Sequence, residues 1–272
     1  MSIVVPPDTI AAGVTMVSER APGPSAPARS KPSLRGWIKR REHPVADFVY
    51  RAAKRARNAQ LPCIPPIHRP LYLLRNGSLN ALHELRRTLW WTPLFQSRLL
   101  RPAKELYLFS GVPLVLGKLE MEFGRGCTIS GHTTLTGRTA DSATPRLTVG
   151  NNSEIGWQVT IAVGRRVVIG DNVLVAARCF LAGYPGHPQD PARRAAHMPD
   201  DDSQVGDIIL EDGVWLATDV TVMSGVRIGK GSIVTAGSVV FRDIPPNVIA
   251  TGNPARVAGP IKMDPSPEQT SN

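Results

Sequence analysis

Residues 183–194 read GYPGHPQDPARR, placing one imidazole, His187, between a glycine and a proline, with Asp190, Arg193 and Arg194 close behind it. An imidazole titrating near neutrality can take a proton from a hydroxyl and hand it on, so this stretch has the makings of a general acid–base site. Metal chemistry is poorly served. The neighbouring histidines are His197, a bystander in the same excursion, and His132, at an outward-facing, solvated place, and no cysteine is set with them. No metal is expected.

The elements that must hold His187 are written in the spacing around it. Leu210, Leu216, Val222, Ile228, Val234 and Val240 recur every six residues, and Val214, Val220, Val226, Ser232 and Ser238 follow four places after the first five. Phe123, Ile129 and Leu135, then Val149, Ile155 and Ile161, then Ile169, Val175 and Leu181 keep the same step. A period of six fits neither a lone amphipathic helix nor a hairpin. It fits a three-faced prism in which each short strand lies on one face, each turn at one corner, and the leading aliphatic residue stacks inward on its counterpart one coil away. Gly150, Gly156, Gly170 and Gly229, with Asn152, Asn172 and Asp219, supply turn residues. The stretch from about Tyr184 to Asp207 interrupts this register, and the segment Asp243 to Val257 is expected to end the last coil, because Pro245 and Pro246 cannot continue a hydrogen-bonded ladder.

The chain has 272 residues and a formal charge of +10, unevenly placed. Residues 1–110 hold 18 Lys and Arg against 6 Asp and Glu, a net of +12, which leaves −2 for the rest. Residues 1–33 contain six prolines and read as a disordered tail, followed by a basic helical region over 34–105. Within it, Val45 to Ala59 has an apolar face of Val45, Phe48, Val49, Ala52, Ala53 and Ala56, with Arg51, Lys54, Arg55 and Arg57 mostly off it. A second helix is expected from Leu79 to about Trp91, capped by Ser78 and ended by Pro93. The repeat domain spans 106–258 with a loop at 184–207, and 259–272 form a tail. No secretory leader or membrane span is expected. Three well-separated cysteines fit a reducing, cytoplasmic setting. Nucleic-acid binding is not expected, since no reading motif accompanies the charge.

The run VWLATDVTVMSGVRIGKGSIVTAGSVVFRDIPP, the closing ATGNPARV and the loop GHPQDPARR together resemble the hexapeptide-repeat acyltransferases over roughly residues 111–258, in the branch of the maltose, galactoside and nodulation-factor O-acetyltransferases. The resemblance implies a mainly β fold, a left-handed parallel β-helix, assembled as a homotrimer with acetyl-CoA in the groove between subunits. It implies His187 as the general base and, by matched position, Trp215, Thr218, Ala236, Arg242 and Arg256 along the CoA groove, the two arginines as partners for the nucleotide phosphates. Tyr184, Asp190, Arg193, Arg194 and Trp157 are candidates for contact with the acceptor.

No serine or cysteine stands beside His187 for use as a nucleophile, so the expected reaction is direct acetyl transfer to a hydroxyl of a sugar or glycoconjugate, as in polysaccharide assembly. N-acylation of an amino sugar and an inactive trimerisation scaffold are the alternatives. A metal-dependent relative of this fold, the γ-type carbonic anhydrase, needs three histidines around zinc and is disfavoured here. The basic region offers a face for an anionic inner leaflet and hence for a lipid-linked acceptor, or else a cap for the β-helix end.

Overall fold

The computed structural model describes residues 33–140 and 143–262. The proline-rich stretch therefore lies outside the described residues apart from Ser33, as does the tail from residue 263 on. The chain divides into two compact units, residues 1–68 and 69–272.

In the first unit, helix Leu34–Arg40 is capped by Ser33, whose hydroxyl accepts from the Gly36 N–H. Helix Pro44–Asn58 follows within a residue of the expected span; proline suits its first position because the amide it lacks would have no partner there. Val45 and Phe48 are exposed on it, as are its basic residues from Arg51 onward.

The second helix departs from expectation. It runs over Pro65–Arg86 and continues through a π-helical turn, Arg87–Trp91, into a short helix, Thr92–Gln96. Ser78 is mid-helix and caps nothing. The prolines explain the misreading: Pro65 and Pro66 open the helix, Pro70 lies within it, and Pro93 stands in the first turn of the segment it was expected to terminate. The stretch from Phe95 to Leu106 belongs to the β-helix core, because Phe95, Leu99, Ala103 and Leu106 are buried in it and Phe95 meets Phe123 edge-on at 5.7 Å. This segment caps the first coil.

The repeats form three sheets of eight, six and five strands, in which each strand up to Val239–Val240 pairs in parallel with those three places along the chain. This is the expected parallel β-helix. Every hexad-leading residue from Phe123 to Val240 is buried, and Ile129, Ile155, Val175, Leu216 and Val234 stack in register on the first face. Four places on, the corner positions that keep the register are buried too, among them Cys127, Cys179, Ser232 and Ser238, while Thr139, Arg165 and Pro185, where the chain leaves the coil, are exposed. The corner residues close polar bonds across coils: Ser153 Oγ donates to the Gly170 carbonyl and Cys179 Sγ to that of Ala217. Asn152 and Asn172 adopt positive φ, as a corner demands. Gly150 does not, and is needed for a different reason: a Cβ there would lie 2.5 Å from the carbonyl carbon of Gly170 in the next coil.

Coil lengths locate the interruptions. Paired first-face residues are 18 apart between Leu216 and Val234, but 26 between Ile129 and Ile155, 20 between Ile155 and Val175, and 41 between Val175 and Leu216. Each excess falls at the same corner, between the second and third faces, after Gly137, Val163 and Ala182. The 41-residue coil exceeds the regular one by 23 residues, nearly the length of the His187 excursion.

The far end also differs from expectation. Pro245 and Pro246 do not finish the coil; they sit at a corner beyond the Ile228–Ile244 bridge, where no ladder amide is required, and Ser232 Oγ donates to the Pro245 carbonyl. The chain makes one more pass on the first face as Val248–Gly252, then turns back antiparallel as Ala255–Pro260.

Candidate functional site

Strand Phe180–Ala182 ends at Gly183, and strand Ile208–Leu210 resumes the coil. The Gly206 N–H donates to the Gly183 carbonyl at 3.2 Å, and the Gly183 N–H to that of Ala162 at 2.8 Å, so the excursion leaves and returns through a closed neck. Glycine is required there: a Cβ on Gly183 would lie 2.6 Å from the Ala162 oxygen and 2.9 Å from the Gly164 nitrogen.

His187 is exposed early in the loop, beside Gly186 in positive φ and the buried Pro188. Tyr184 bonds Thr136 of the preceding coil through its hydroxyl at 3.1 Å. Asp190 caps the short helix Pro191–Ala195, its Oδ1 accepting from the Arg193 N–H at 2.7 Å. The Arg193 guanidinium pairs with Asp201, and Arg194 donates through Nη1 to the carbonyls of Pro188 (3.1 Å) and Gln189 (2.7 Å). Asp190, Arg193 and Arg194, expected at the acceptor, thus each hold part of the loop.

The residue that sequence reasoning missed is Arg138. It leaves the second face at the same corner, is 3% exposed, and donates from Nε to Asp200 Oδ1 (2.9 Å) and from Nη2 to the Asp200 carbonyl (3.1 Å) and Asp202 Oδ1 (2.7 Å). The sequence carried a signal in the run Asp200, Asp201, Asp202, three like charges tolerable together only with cations beside them. Between the loop and the following coil lies a cavity of about 360 Å³ whose lining includes Tyr184, Gln189, Ser203, Gln204, Met223 and Ser224. Gln204 Oε1 is buried and has no hydrogen-bond partner among the described residues.

The remaining expected residues lie elsewhere on the coil. Thr218 and Ala236 stand at the corner between the first and second faces, and Trp215 is exposed on the first face. At that same corner Trp157 stacks on His132, with ring centroids 4.8 Å apart and planes 11° from parallel, so His132 is exposed but partnered. Also there, Arg178 chelates Asp219 at 2.7 and 2.6 Å and holds its carboxyl below the usual range. Arg242 is exposed beyond the last second-face strand and Arg256 on the final antiparallel strand. Within one chain, the His187 loop and the Thr218–Ala236 column therefore occupy two different corners. Among the described residues no group of three or more His, Cys, Asp or Glu is placed to hold a metal.

No family model matches the chain. It is 38% identical over 111 residues to the galactoside O-acetyltransferase of Escherichia coli K12 and 39% identical over 97 residues to that of Lactococcus lactis subsp. lactis. These matches cover 40% and 36% of this chain and 51% and 42% of the two relatives, so the chain spans about half the length of the curated relatives it matches. A solved hexapeptide-repeat acetyltransferase of Vibrio cholerae, in complex with acetyl-CoA, is 25% identical with a TM-score of 0.39, covering 59% of this chain and 73% of that one. The resemblance seen in the hexads is carried by relatives named acetyltransferases.

Proposed function

We propose that this chain is an acetyl-CoA-dependent O-acetyltransferase acting on a hydroxyl of a sugar or glycoconjugate, with His187 as the general base. The observation that carries the reading is an exposed histidine on the longest excursion from the coil among the described residues, in a loop held by a buried ion pair to Arg138 and by the Arg194 contacts to the Pro188 and Gln189 carbonyls. The identity to galactoside O-acetyltransferases supports the choice of donor and of acceptor class.

The chemistry follows from one base and two bound substrates. His187 takes the acceptor hydroxyl proton as the oxygen attacks the thioester carbonyl; the tetrahedral intermediate collapses with cleavage of the carbon–sulfur bond, and the imidazolium returns the proton to the departing CoA thiolate. Acetyl passes directly, with no acetyl-enzyme. Trp215, Thr218, Ala236, Arg242 and Arg256 line the CoA groove, the guanidiniums meeting the nucleotide phosphates. Because the His187 loop and the Thr218–Ala236 column stand at different corners of one chain, the complete site takes its base and its groove from neighbouring subunits of a homotrimer. The cavity beside Tyr184 and Gln204 suits a neutral polyhydroxyl acceptor, for which Gln204 Oε1 is a waiting acceptor atom.

The enzyme works in the cytoplasm. Its helix Pro44–Asn58, with Val45 and Phe48 exposed and four basic residues from Arg51 to Arg57, favours contact with an anionic inner leaflet and a lipid-linked acceptor.

Thiol release from acetyl-CoA, measured across mono- and oligosaccharides and amino sugars beside His187→Ala, tests the reading. Acceptor-dependent release that falls at least ~100-fold in the variant supports it. Release only with amino sugars moves the reaction to N-acylation, and binding of CoA without release on any acceptor favours the scaffold.

A further inference from the structure

The loop that carries His187 is tied to the coil by a chain of contacts that begins far from the histidine. Arg138 is buried and grips Asp200 and Asp202. Asp201, between them, pairs with Arg193, and Arg194, next in sequence, donates to the two carbonyls that immediately follow His187. Arg165 adds a bond to the Asp202 carbonyl at 3.4 Å. The return limb of the loop is thus locked to the coil, and the outgoing limb is locked to the return limb.

We propose that Arg194 is a positioning residue for His187, fixing the backbone at Pro188 and Gln189, and that Arg138 is the anchor from which this constraint is transmitted through Asp200, Asp201 and Arg193. The proposal rests on the reading of His187 as the base, and it reassigns Arg193 and Arg194 from acceptor contact to loop geometry. Its physical content is simple. Two N–H···O bonds from a planar guanidinium define a direction as well as a distance, which lysine, with a single ammonium on a flexible stem, reproduces only in part. His187 stands between Gly186 in positive φ and the buried Pro188, and the Arg194 bonds fix the carbonyls that follow it.

The two roles separate kinetically. A residue that binds acceptor raises the acceptor KM when removed, whereas a residue that aims the base lowers kcat and leaves both KM values alone. Arg194→Ala is expected to lower kcat about 100-fold with KM for acetyl-CoA and acceptor within twofold of the parent, and Arg194→Lys to recover part of the loss. A raised acceptor KM with kcat unchanged, or no change in either, overturns the assignment.

Amide hydrogen exchange across residues 184–206 gives a second reading that needs no turnover. Arg194→Ala is expected to accelerate exchange at 193–198 alone, where the amides bond back to Asp190, Ala192, Arg193 and Arg194. Arg138→Met is expected to accelerate it over the whole excursion while the hexad strands stay protected. Unchanged exchange at 193–198 in both variants refutes the relay. If the parent protein transfers no acetyl group but the exchange pattern is as described, the relay stands and the acetyltransferase reading falls. If transfer is robust and indifferent to Arg194→Ala, the reverse holds.

Discussion

Removal of residues 184–206 is the most searching perturbation available in this fold. The deletion places Leu210 six residues after Leu181 and Ile208 four after it, restoring the hexad step where both residues are already buried. The shortened chain is expected to keep its β-helix. Closing a flexible loop of this size costs on the order of 3 kcal/mol, a term the deletion removes. Arg138 changes status at the same time. In the full chain its guanidinium is covered and bound to Asp200, so Arg138→Met strands a carboxylate that is 4% exposed, at about 3–5 kcal/mol. In the shortened chain Asp200 and Asp202 are gone and no buried carboxylate is left behind, so the same substitution is expected to cost roughly 3 kcal/mol less. The cycle is read by urea unfolding of all four proteins, followed by far-UV circular dichroism, with m-values checked for two-state behaviour. A coupling of roughly 3 kcal/mol is expected. Equal costs for Arg138→Met in both backgrounds, or loss of the β signal on deletion, would refute the argument that the excursion is a side branch held to a self-sufficient coil.

Other expectations are simpler to measure. Leu210→Ala, at a fully buried hexad position, is expected to cost about 2–5 kcal/mol by the same unfolding assay. Gly183→Val meets the Ala162 oxygen and should lower the melting temperature more than Gly259→Ala, whose added Cβ meets nothing within 4 Å. Native protein is expected to react with one equivalent of a thiol reagent, at exposed Cys63, and with three after unfolding. Burial raises the Cys179 pKa from 9.0 to about 11, so its contribution is neutral below pH 9; as pH climbs from 9 to 11 the unfolded chain loses this proton while the folded chain keeps it, and stability falls. Cys179→Val should flatten that alkaline decline. Asp219 behaves in the opposite sense, since its lowered pKa contributes stability that disappears as pH drops below the ordinary carboxylate range, and Asp219→Asn should remove that acid dependence.

The coil was legible because its pattern is redundant: each of Leu216, Val222, Ile228 and Val234 repeats the same instruction, and stacking enforces it coil after coil. The loop was legible as an interruption carrying His187. Its internal wiring was not, because Arg138 and Asp200 are 62 residues apart and meet only when separate coils bring their excursions to one corner. Prolines misled twice for one physical reason. Pro65, Pro93, Pro245 and Pro246 all occupy places where the missing N–H has no partner to lose, at the opening turn of a helix or at a corner of the prism, and sequence alone does not distinguish such a place from a break.

The way the last coil closes bears on the protein's behaviour in a crowded solution. A β-solenoid ends on open backbone edges, each a template on which another chain could continue stacking and grow a fibre. Here the first face ends on a strand running the wrong way for the next coil, Ala255–Pro260, and the corner after the third face ends on Pro245 and Pro246, whose backbone comes within 2.8 Å of where a Gly229 Cβ would stand and which have no N–H to offer a newcomer. At the opposite end Phe95, Leu99 and Leu106 cover the first coil. The periodicity that makes the core so regular is therefore stopped at both ends by aperiodic sequence, and the chain stays a particle of fixed length instead of a seed for a filament.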